Sequence, residues 1–461
     1  MDVDVTIPAF APVAQLDRVS ASEAEGRRFE SCRARHLPPS RDSAVDPRHR
    51  DRITRDSNLR PDNDRFDRPP EAASVAARSD ANPKGKAPTG AAAILPGAPS
   101  PLAWVVFVGI IPASAKPEDI DTVKAYFDSR QDLHHPRTYL TRGQMRAPQE
   151  IPERTGHIRG GLGNAGVTEC PVVDHGIRPI SRVHDLGYLR FLESCHRRWE
   201  AMPEDWGPEV LSNIYVRSPN PLRGILAEAA CYLADGSCPV GEHTWEAAYW
   251  SAQGALTAAD DILAGEPMSF ALCRPPGHHA RVDAAGGFCY LNNAAIAAEH
   301  LRQRYSRVAI LDTDVHHGQG IQEIFYPRSD VLYVSIHGDP TNFYPVVTGF
   351  EDERGEGPGL GYNINLPLPH GSGSDAFFQR LDEALTAVRL FAPDALVLSS
   401  GFDIYREDPQ AKIAVESEDI ETLGRRIASM DLPTLVIQEG GYHYDSLTLN
   451  TEHLIRGLSA G

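Results

Sequence analysis

Short apolar runs recur along the second half of the chain and alternate with stretches in which apolar residues return every three or four positions. Four runs rich in branched side chains lie at residues 307–311, 331–335, 394–399 and 433–438. Such nearly continuous hydrophobicity is typical of strands that are covered on both faces of a sheet. A first strand is predicted at 123–127, and residues 374–390 have helical spacing. The pattern predicts an α/β fold, with a single three-layer α/β/α domain built on a mostly parallel sheet.

The N-terminal hundred residues have a different character. They are rich in Arg, Asp, Pro, Ser and Ala, and they lack a sustained apolar period. Such a segment cannot bury enough surface to offset its conformational entropy. Residues 12–36 also resemble the conceptual translation of a transfer-RNA gene. We therefore expect residues 1–122 to be a disordered and spurious extension, with the natural start at or near Val123, and residues 123–461 to form the catalytic domain.

The charge of the chain is strongly acidic. Asp and Glu number 63 against 45 Lys and Arg, for a formal net charge of −18, and the first hundred residues are close to neutral. An acidic body repels phosphate backbones and anionic lipid surfaces, so we expect no nucleic-acid partner and no membrane partner. A cationic substrate fits this charge, although acidity also serves simply to keep proteins in solution.

Cysteine usage and hydropathy indicate a cytoplasmic location. Seven cysteines form an odd number without a C-x-x-C pair, so neither a disulfide framework nor a zinc ribbon is indicated. The longest apolar run, at residues 102–111, is shorter than the roughly 18 residues that a bilayer-spanning helix needs.

Acidic and histidine residues follow two of the predicted strands. Asp312, Asp314 and His316 come directly after the run at 307–311 and share the two-residue period of an extended chain, so their side chains can point the same way. Asp403 follows the run at 394–399. Each pattern alone is more often structural. Together they offer three protein ligands, which is the open arrangement that catalytic zinc requires.

Two further segments carry candidate acid–base chemistry. His278 and His279 are adjacent on a loop stiffened by Pro and Gly, where a coupled pair can hold one imidazole neutral while the other takes charge. Tyr442 follows two glycines at the end of the last predicted strand, and its phenol could donate a hydrogen bond to an oxyanion.

The order of these segments along the chain resembles a known family. R-P-P-G-H-H (274–279), G-F-C-Y-L-N-N (287–293), D-T-D-V-H-H-G (312–318), G-F-D (401–403) and E-G-G-Y (439–442) resemble the signature of zinc-dependent deacetylases, which have the arginase-deacetylase fold. The resemblance spans about residues 123–461. It is greatest to the acetylpolyamine amidohydrolases, through residues 127–144, 335–340 and 361–368.

The resemblance implies a role for each matching residue. Asp314, His316 and Asp403 would bind Zn²⁺, with Fe²⁺ as the alternative metal. His279 would be the general base, with His278 as its electrostatic partner.

Further roles follow from the same resemblance. Asp312 would orient His278, and Tyr442 would polarise the acetyl carbonyl together with the metal. The substrate channel would be formed by Phe288, Tyr344, Gly287 and Gly441.

Three more assignments complete the expected site. Arg154 would line an internal cavity for acetate release. A structural K⁺ ion would be bound by Asp312, Asp314, His316, Ser335 and Ile336. At Gln319 the chain departs from the family, which places Asp or Asn there to support the second histidine. An uncharged amide should raise the basicity of His279 less than a carboxylate would.

The implied substrate is a small cationic acetylated amine, and the implied assembly is a homodimer. An insert at residues 195–241, with Trp199, Trp206, Glu228 and Asp235, would narrow the mouth, although these residues could equally be solvated surface. Two alternatives stay open: a protein acetyl-lysine deacetylase of the histone type, and a catalytically silent, metal-stabilised polyamine sensor. Arginase-like chemistry with two manganese ions needs more carboxylate ligands than these motifs supply.

Overall fold

A computed structural model describes residues 123–216 and 221–460. The expectations for residues 1–122 concern a part of the chain that lies outside this description. Within it, an eight-stranded sheet is flanked by helices on both faces, and a two-stranded hairpin lies apart from the sheet. No helix of the described residues is long and apolar enough to cross a membrane.

All eight strands of the main sheet run parallel to their neighbours. Their bounds are Lys124–Tyr126 (β1), Thr168–Cys170 (β4), Met268–Ala271 (β5), Val308–Asp312 (β6), Val331–Gly338 (β7), Asn363–Leu368 (β8), Ala395–Ser400 (β9) and Thr434–Gln438 (β10). The order across the sheet is β4-β1-β5-β10-β9-β6-β7-β8. The hairpin pairs Tyr139–Thr141 (β2) with Gln144–Arg146 (β3) in antiparallel register.

Ten α-helices of the described residues complete the domain, together with short 3₁₀ helices at Ser129–Leu133 and Gly357–Gly359. Their bounds are Glu153–Asn164 (α1), Ile177–Ile180 (α2), Leu186–Glu200 (α3), Ile225–Tyr232 (α4), Thr244–Ala264 (α5), Asn293–Leu301 (α6), Gln319–Phe325 (α7), Ser374–Phe391 (α8), Ser417–Ala428 (α9) and Tyr444–Leu458 (α10). Helices α2 to α7 contribute to the core on one face of the sheet, and α1, α8, α9 and α10 to the core on the other.

Strand β6 shows why the strands read as continuous apolar runs. Val308 and Ile310 belong to the core beneath α3, α5 and α6, whereas Ala309 and Leu311 belong to the core beneath α1, α8, α9 and α10. Successive side chains point to opposite faces, and both faces are covered. The three-layer α/β prediction is therefore confirmed, with strand bounds that differ from those predicted by at most three residues.

Strand order brings the predicted chemistry to one edge. β9 pairs with both β6 and β10, and β10 pairs with β5, so four adjacent strands end side by side. The loops that follow these strands carry the paired histidines, the Asp-x-His segment, the Asp of G-F-D and the tyrosine of E-G-G-Y. Ligands in parallel α/β sheets bind beyond the carboxyl ends of strands, and this edge is such a place.

Candidate active site

Asp314, His316 and Asp403 form a buried group that could hold a metal ion. One ligand atom from each lies within 4.8 Å of the others. His316 Nδ1 is 3.1 Å from a carboxylate oxygen of Asp314 and 3.1 Å from one of Asp403. Burial raises the pKa of Asp403 to about 7, and the neighbouring Asp314 adds to the increase. Two buried carboxylates that repel each other in this way favour a cation between them.

Two glycines bring backbone close to the carboxylates of this group. A Cβ on Gly440 would lie 2.3 Å from Asp403 Oδ2 and 2.5 Å from Asp314 Oδ2. A Cβ on Gly401 would lie 2.1 Å from Asp314 Oδ2. The Gly440 amide instead donates to Asp314 Oδ2 at 2.8 Å. An Asp₂His donor set, oriented by backbone and otherwise open, fits Zn²⁺ with a remaining position for substrate or water.

The rings of the adjacent histidines His278 and His279 are tilted by 39° relative to each other, with centroids 3.9 Å apart. His278 Nδ1 lies 3.1 Å from Asp312 Oδ2, which also accepts from the Tyr333 hydroxyl at 2.9 Å. Burial lowers the pKa of His278, but Asp314 and Asp312 outweigh it and raise the pKa to about 10.

His279 has the opposite electrostatic environment. Its Nδ1 lies 2.7 Å from Gln319 Oε1. Burial, followed by the neighbouring His278 and His316, holds the pKa of His279 well below its usual value. One imidazole of the pair therefore favours the charged form and the other the neutral form, which is the division that acid–base catalysis needs.

Glu439 holds the histidine loop, and sequence reasoning missed this role. Its Oε2 accepts from the backbone amides of Gly277 at 2.7 Å and His278 at 3.1 Å, and its Oε1 accepts from the Ser399 hydroxyl at 3.0 Å. Burial raises the pKa of Glu439 to about 7. A charged residue directly after a buried strand was the available signal.

Tyr442 lines the same cavity as His279. Its amide donates to Asp408 Oδ2 at 2.6 Å, and the Arg154 guanidinium lies 4.8 Å from the centre of its ring. Phe288 meets the same ring edge-on at 5.9 Å. The tyrosine ring is thus packed from two sides while it lines the central cavity.

A cavity of about 730 Å³ leads from the surface to the metal group. Its aromatic walls include Phe288, which stacks on Tyr139 at 4.5 Å, and Tyr344. Gly287 has a φ of 53°, and a Cβ there would lie 2.3 Å from the His279 ring. His279, His316 and Tyr442 all line this cavity. The cavity therefore brings together a candidate metal ligand, the candidate general base and the candidate phenol donor.

The predicted channel residue Gly441 and the predicted acetate-cavity residue Arg154 are in contact with each other. Gly441 is not among the residues that line the described cavity, and its carbonyl accepts from Arg154 Nε at 2.7 Å. Arg154 also donates to the Glu439 carbonyl at 2.8 Å and to Glu150 at 2.9 Å. Glu150 pairs with Arg274 Nε at 2.9 Å as well. This buried ion cluster ties α1 to the loops that carry the histidines and Tyr442.

The four residues named for the insert lie in different environments. Asp235 lines the cavity. Glu228 pairs with Arg198 at 2.6 Å, and Trp199 packs edge-on against Trp206. Of the cavity-lining residues in the described ranges, Asp235 is the sole carboxylate. Arg142 and Arg146 of the hairpin add positive charge to the same mouth.

The residues expected to bind potassium are grouped at the end of β6 and within β7. Asp312 pairs with Ser335 in strand register, and its Oδ1 accepts from the Asp314 amide at 3.2 Å. The Ser335 hydroxyl lies 2.8 Å from His337 Nδ1. Ile336 is buried in the core. The potassium site stays a prediction.

A second group of potential metal ligands is found on the surface, where His175, Asp260 and His300 approach each other. His300 Nε2 lies 2.7 Å from Asp260 Oδ1, and His175 Nε2 lies 3.8 Å from Asp260 Oδ2. A histidine–carboxylate hydrogen bond accounts for this arrangement without a metal.

Comparisons with known proteins agree with this geometry. The family model described as "Histone deacetylase domain" matches residues 150–458. The chain is 64% identical over 335 residues to an acetylpolyamine amidohydrolase of Burkholderia pseudomallei, covering 73% of this chain and 98% of that protein. It is 43% identical over 343 residues to acetylpolyamine amidohydrolase 1 of Pseudomonas aeruginosa, covering 73% and 98%.

Among solved structures, a crystal structure of acetylpolyamine aminohydrolase from Burkholderia pseudomallei aligns with a TM-score of 0.73 at 64% identity. The alignment covers 74% of this chain and 99% of that structure. Together with the family match over residues 150–458, these similarities show that the chain belongs to the histone deacetylase family.

Proposed function

We propose that the protein is a zinc-dependent deacetylase that hydrolyses the acetyl amide of acetylated polyamines and releases acetate and the free amine. The observation that carries this proposal is the buried Asp314–His316–Asp403 group at the base of an aromatic-walled cavity, with the histidine pair and Tyr442 around it. The 64% identity to an acetylpolyamine amidohydrolase supports the choice of substrate.

Asp314, His316 and Asp403 would hold the metal. When bound, Zn²⁺ supplies a Lewis acid for the acetyl carbonyl and increases the acidity of a nearby water molecule. The same donors accept Fe²⁺, so the physiological metal is part of the proposal to be measured.

Side chains of the protein would transfer the proton and stabilise the charge that develops during the reaction. His279, with Nδ1 committed to Gln319, has Nε2 free to take a proton from the attacking water and later give it to the leaving amine. The water oxygen first adds to the acetyl carbon, and the carbon–nitrogen bond breaks afterwards, as His279 passes the proton to the amine nitrogen. His278, held by Asp312, provides positive charge beside the reacting carbonyl, and Tyr442 donates a hydrogen bond to its oxygen.

The remaining parts of the proposal concern surroundings and assembly. A structural K⁺ ion and a homodimer are supported by family resemblance alone, and a cytoplasmic location is supported by the cysteine usage of the chain. The charge at the mouth is mixed, because Arg142 and Arg146 oppose the attraction of a polycation to Asp235. The overall acidity of the chain, at −18, acts in favour of a cationic substrate at longer range.

Comparison of kcat/KM for N-acetylputrescine and for an acetyl-lysine peptide tests the substrate. We expect the polyamine to be preferred, and a marked preference for the peptide would instead support the histone-type alternative. Tyr442→Phe distinguishes an enzyme from a sensor. In an enzyme, this variant should lose turnover and keep acetylputrescine affinity, whereas binding without turnover in the unsubstituted protein would support the sensor.

A further inference from the structure

We propose that Asp235 sets the tautomer of His279 through Tyr344 and Gln319, which makes these three positioning residues for the general base. The inference rests on the proposed function, since it gives His279 its catalytic form. Its structural basis is a continuous chain of hydrogen bonds that runs from Asp235, which lines the cavity, to His279.

Three contacts make up the chain. The Tyr344 hydroxyl lies 2.7 Å from Asp235 Oδ2. Gln319 Nε2 lies 3.0 Å from the Tyr344 hydroxyl. Gln319 Oε1 lies 2.7 Å from His279 Nδ1. Tyr344 is half-buried among the cavity walls, and its ring meets that of His279 edge-on at 4.8 Å, so the chain of hydrogen bonds is compact.

The directions of these hydrogen bonds follow from the carboxylate. An ionised carboxylate accepts hydrogen bonds and donates none. The Tyr344 hydroxyl must therefore give its proton to Asp235, which leaves its oxygen to accept from Gln319. The Gln319 amide is then fixed with Nε2 toward Tyr344 and Oε1 toward His279, so His279 carries its proton on Nδ1. Nε2, which the proposed mechanism needs as the base, is left free.

Asp235 is itself well anchored. Its Oδ1 accepts from the Ser237 amide at 2.8 Å and from the Ser237 hydroxyl at 2.5 Å. Its Oδ2 accepts from the Gly287 amide at 3.1 Å in addition to Tyr344. Four donors converge on this carboxylate, so it is held as an acceptor at the position where the chain of hydrogen bonds begins.

This chain of hydrogen bonds is needed because the side chain of Gln319 is an amide that has two possible orientations. A carboxylate at position 319 would accept from His279 in either orientation, whereas an amide can turn by half a rotation and present its NH₂ group. A turned Gln319 would donate to His279 Nδ1 and place the imidazole proton on Nε2, where the base cannot work. Asp235 and Tyr344 remove that alternative.

The test combines three substitutions in the full-length, zinc-loaded protein. Tyr344→Phe keeps the aromatic wall and removes the hydroxyl, and Asp235→Asn allows the direction of the chain to reverse. We expect each to lower kcat roughly 10- to 100-fold, with a smaller change in KM. In a Gln319→Glu background, Tyr344→Phe should cost less than about 3-fold, because a glutamate accepts from His279 without help.

A second readout does not depend on turnover. In protein labelled with ¹⁵N-histidine, two-bond proton–nitrogen NMR correlations report the tautomer of His279, identified by the signals that His279→Ala removes. We expect the Nδ1–H form in the unsubstituted protein and a shift toward Nε2–H in Tyr344→Phe and Asp235→Asn. A tautomer that neither substitution changes would overturn the inference. An inactive protein that still shows the shift would overturn the proposed function alone.

Discussion

At the scale of single residues, two glycines allow the backbone to approach the candidate metal ligands closely. Gly401 and Gly440 leave no space for a side chain between the strand ends and the carboxylates of Asp314 and Asp403. Their place in G-F-D and E-G-G-Y gives these short motifs a steric reason as well as a chemical one.

Gly440→Ala should weaken metal binding. Its Cβ would lie within 2.5 Å of oxygens of both carboxylates, so at least one ligand must move. We expect zinc affinity to fall roughly 10- to 100-fold, measured by competition with a chromophoric chelator. Gly163→Ala in α1, where a Cβ meets nothing within 4 Å, is the matched control. Equal zinc affinity in both variants would show that Gly440 does not constrain the ligands.

The proximity of the three candidate metal ligands could be predicted from sequence, because the ends of neighbouring strands fix their positions. Asp314, His316 and Asp403 follow β6 and β9, which are neighbours in a parallel sheet. The partner of Gln319 could not be predicted in the same way. Tyr344 lies 25 residues away on an irregular loop, where no periodicity relates the two positions.

At the scale of secondary structure, helices α9 and α10 pack unusually close together. A Cβ on Gly457 of α10 would lie 2.2 Å from the Glu421 carbonyl and 2.9 Å from the Arg425 amide of α9. Gly424 of α9 lies at the same crossing, where an added Cβ would lie 2.9 Å from the carbonyl carbon of Gly457. Small residues at a crossing let backbones approach until side chains on either side interdigitate.

Gly457→Ala should destabilise the domain. The added methyl group meets backbone that cannot rotate away, so the helices must separate and lose packing. We expect a decrease of about 1–3 kcal/mol in the free energy of unfolding, measured in urea. Gly156→Ala in α1, where a Cβ meets nothing within 4 Å, is the control and should be neutral or slightly stabilising. Equal stabilities would contradict the close crossing.

The buried ion cluster joins α1 to the site loops, and Glu150→Gln tests it. Burial raises the pKa of Glu150, but Arg274 and Arg154 outweigh it and lower the pKa below its usual value. Removing the charge leaves two buried guanidinium groups without their counter-ion, which should cost about 3–5 kcal/mol in urea unfolding at neutral pH. Arg406→Ala, which breaks the exposed pair with Glu416, should cost at most about 1 kcal/mol.

The difference in unfolding free energy between the unsubstituted protein and Glu150→Gln should also depend on pH. A lowered folded-state pKa contributes stability that is present above the unfolded pKa and is lost as pH falls through the folded value. The gap between the unsubstituted protein and Glu150→Gln should therefore narrow in acid. A gap that stays constant down to low pH would assign the loss to packing instead of charge.

At the scale of the whole molecule, the parallel sheet and its layers could be read from the chain because buried strands and amphipathic helices have distinct periods. The shape of the mouth could not. The hairpin β2–β3 places Arg142 and Arg146 beside the cavity, although nothing in their local sequence separates them from solvated surface. The predictions for residues 1–122 concern a part of the chain outside the described residues and stay predictions.

Bound zinc and acetate release, measured together in the unsubstituted full-length protein and in Asp403→Asn, show whether hydrolysis depends on the metal. Asp403 is fully buried and offers its oxygens to the metal group and to the Val315 amide, so the amide variant should fold but bind zinc poorly. We expect about one zinc ion per chain and acetate release from N-acetylputrescine, with both lost in Asp403→Asn. Acetate release that persists in a variant without bound metal would contradict zinc-dependent hydrolysis.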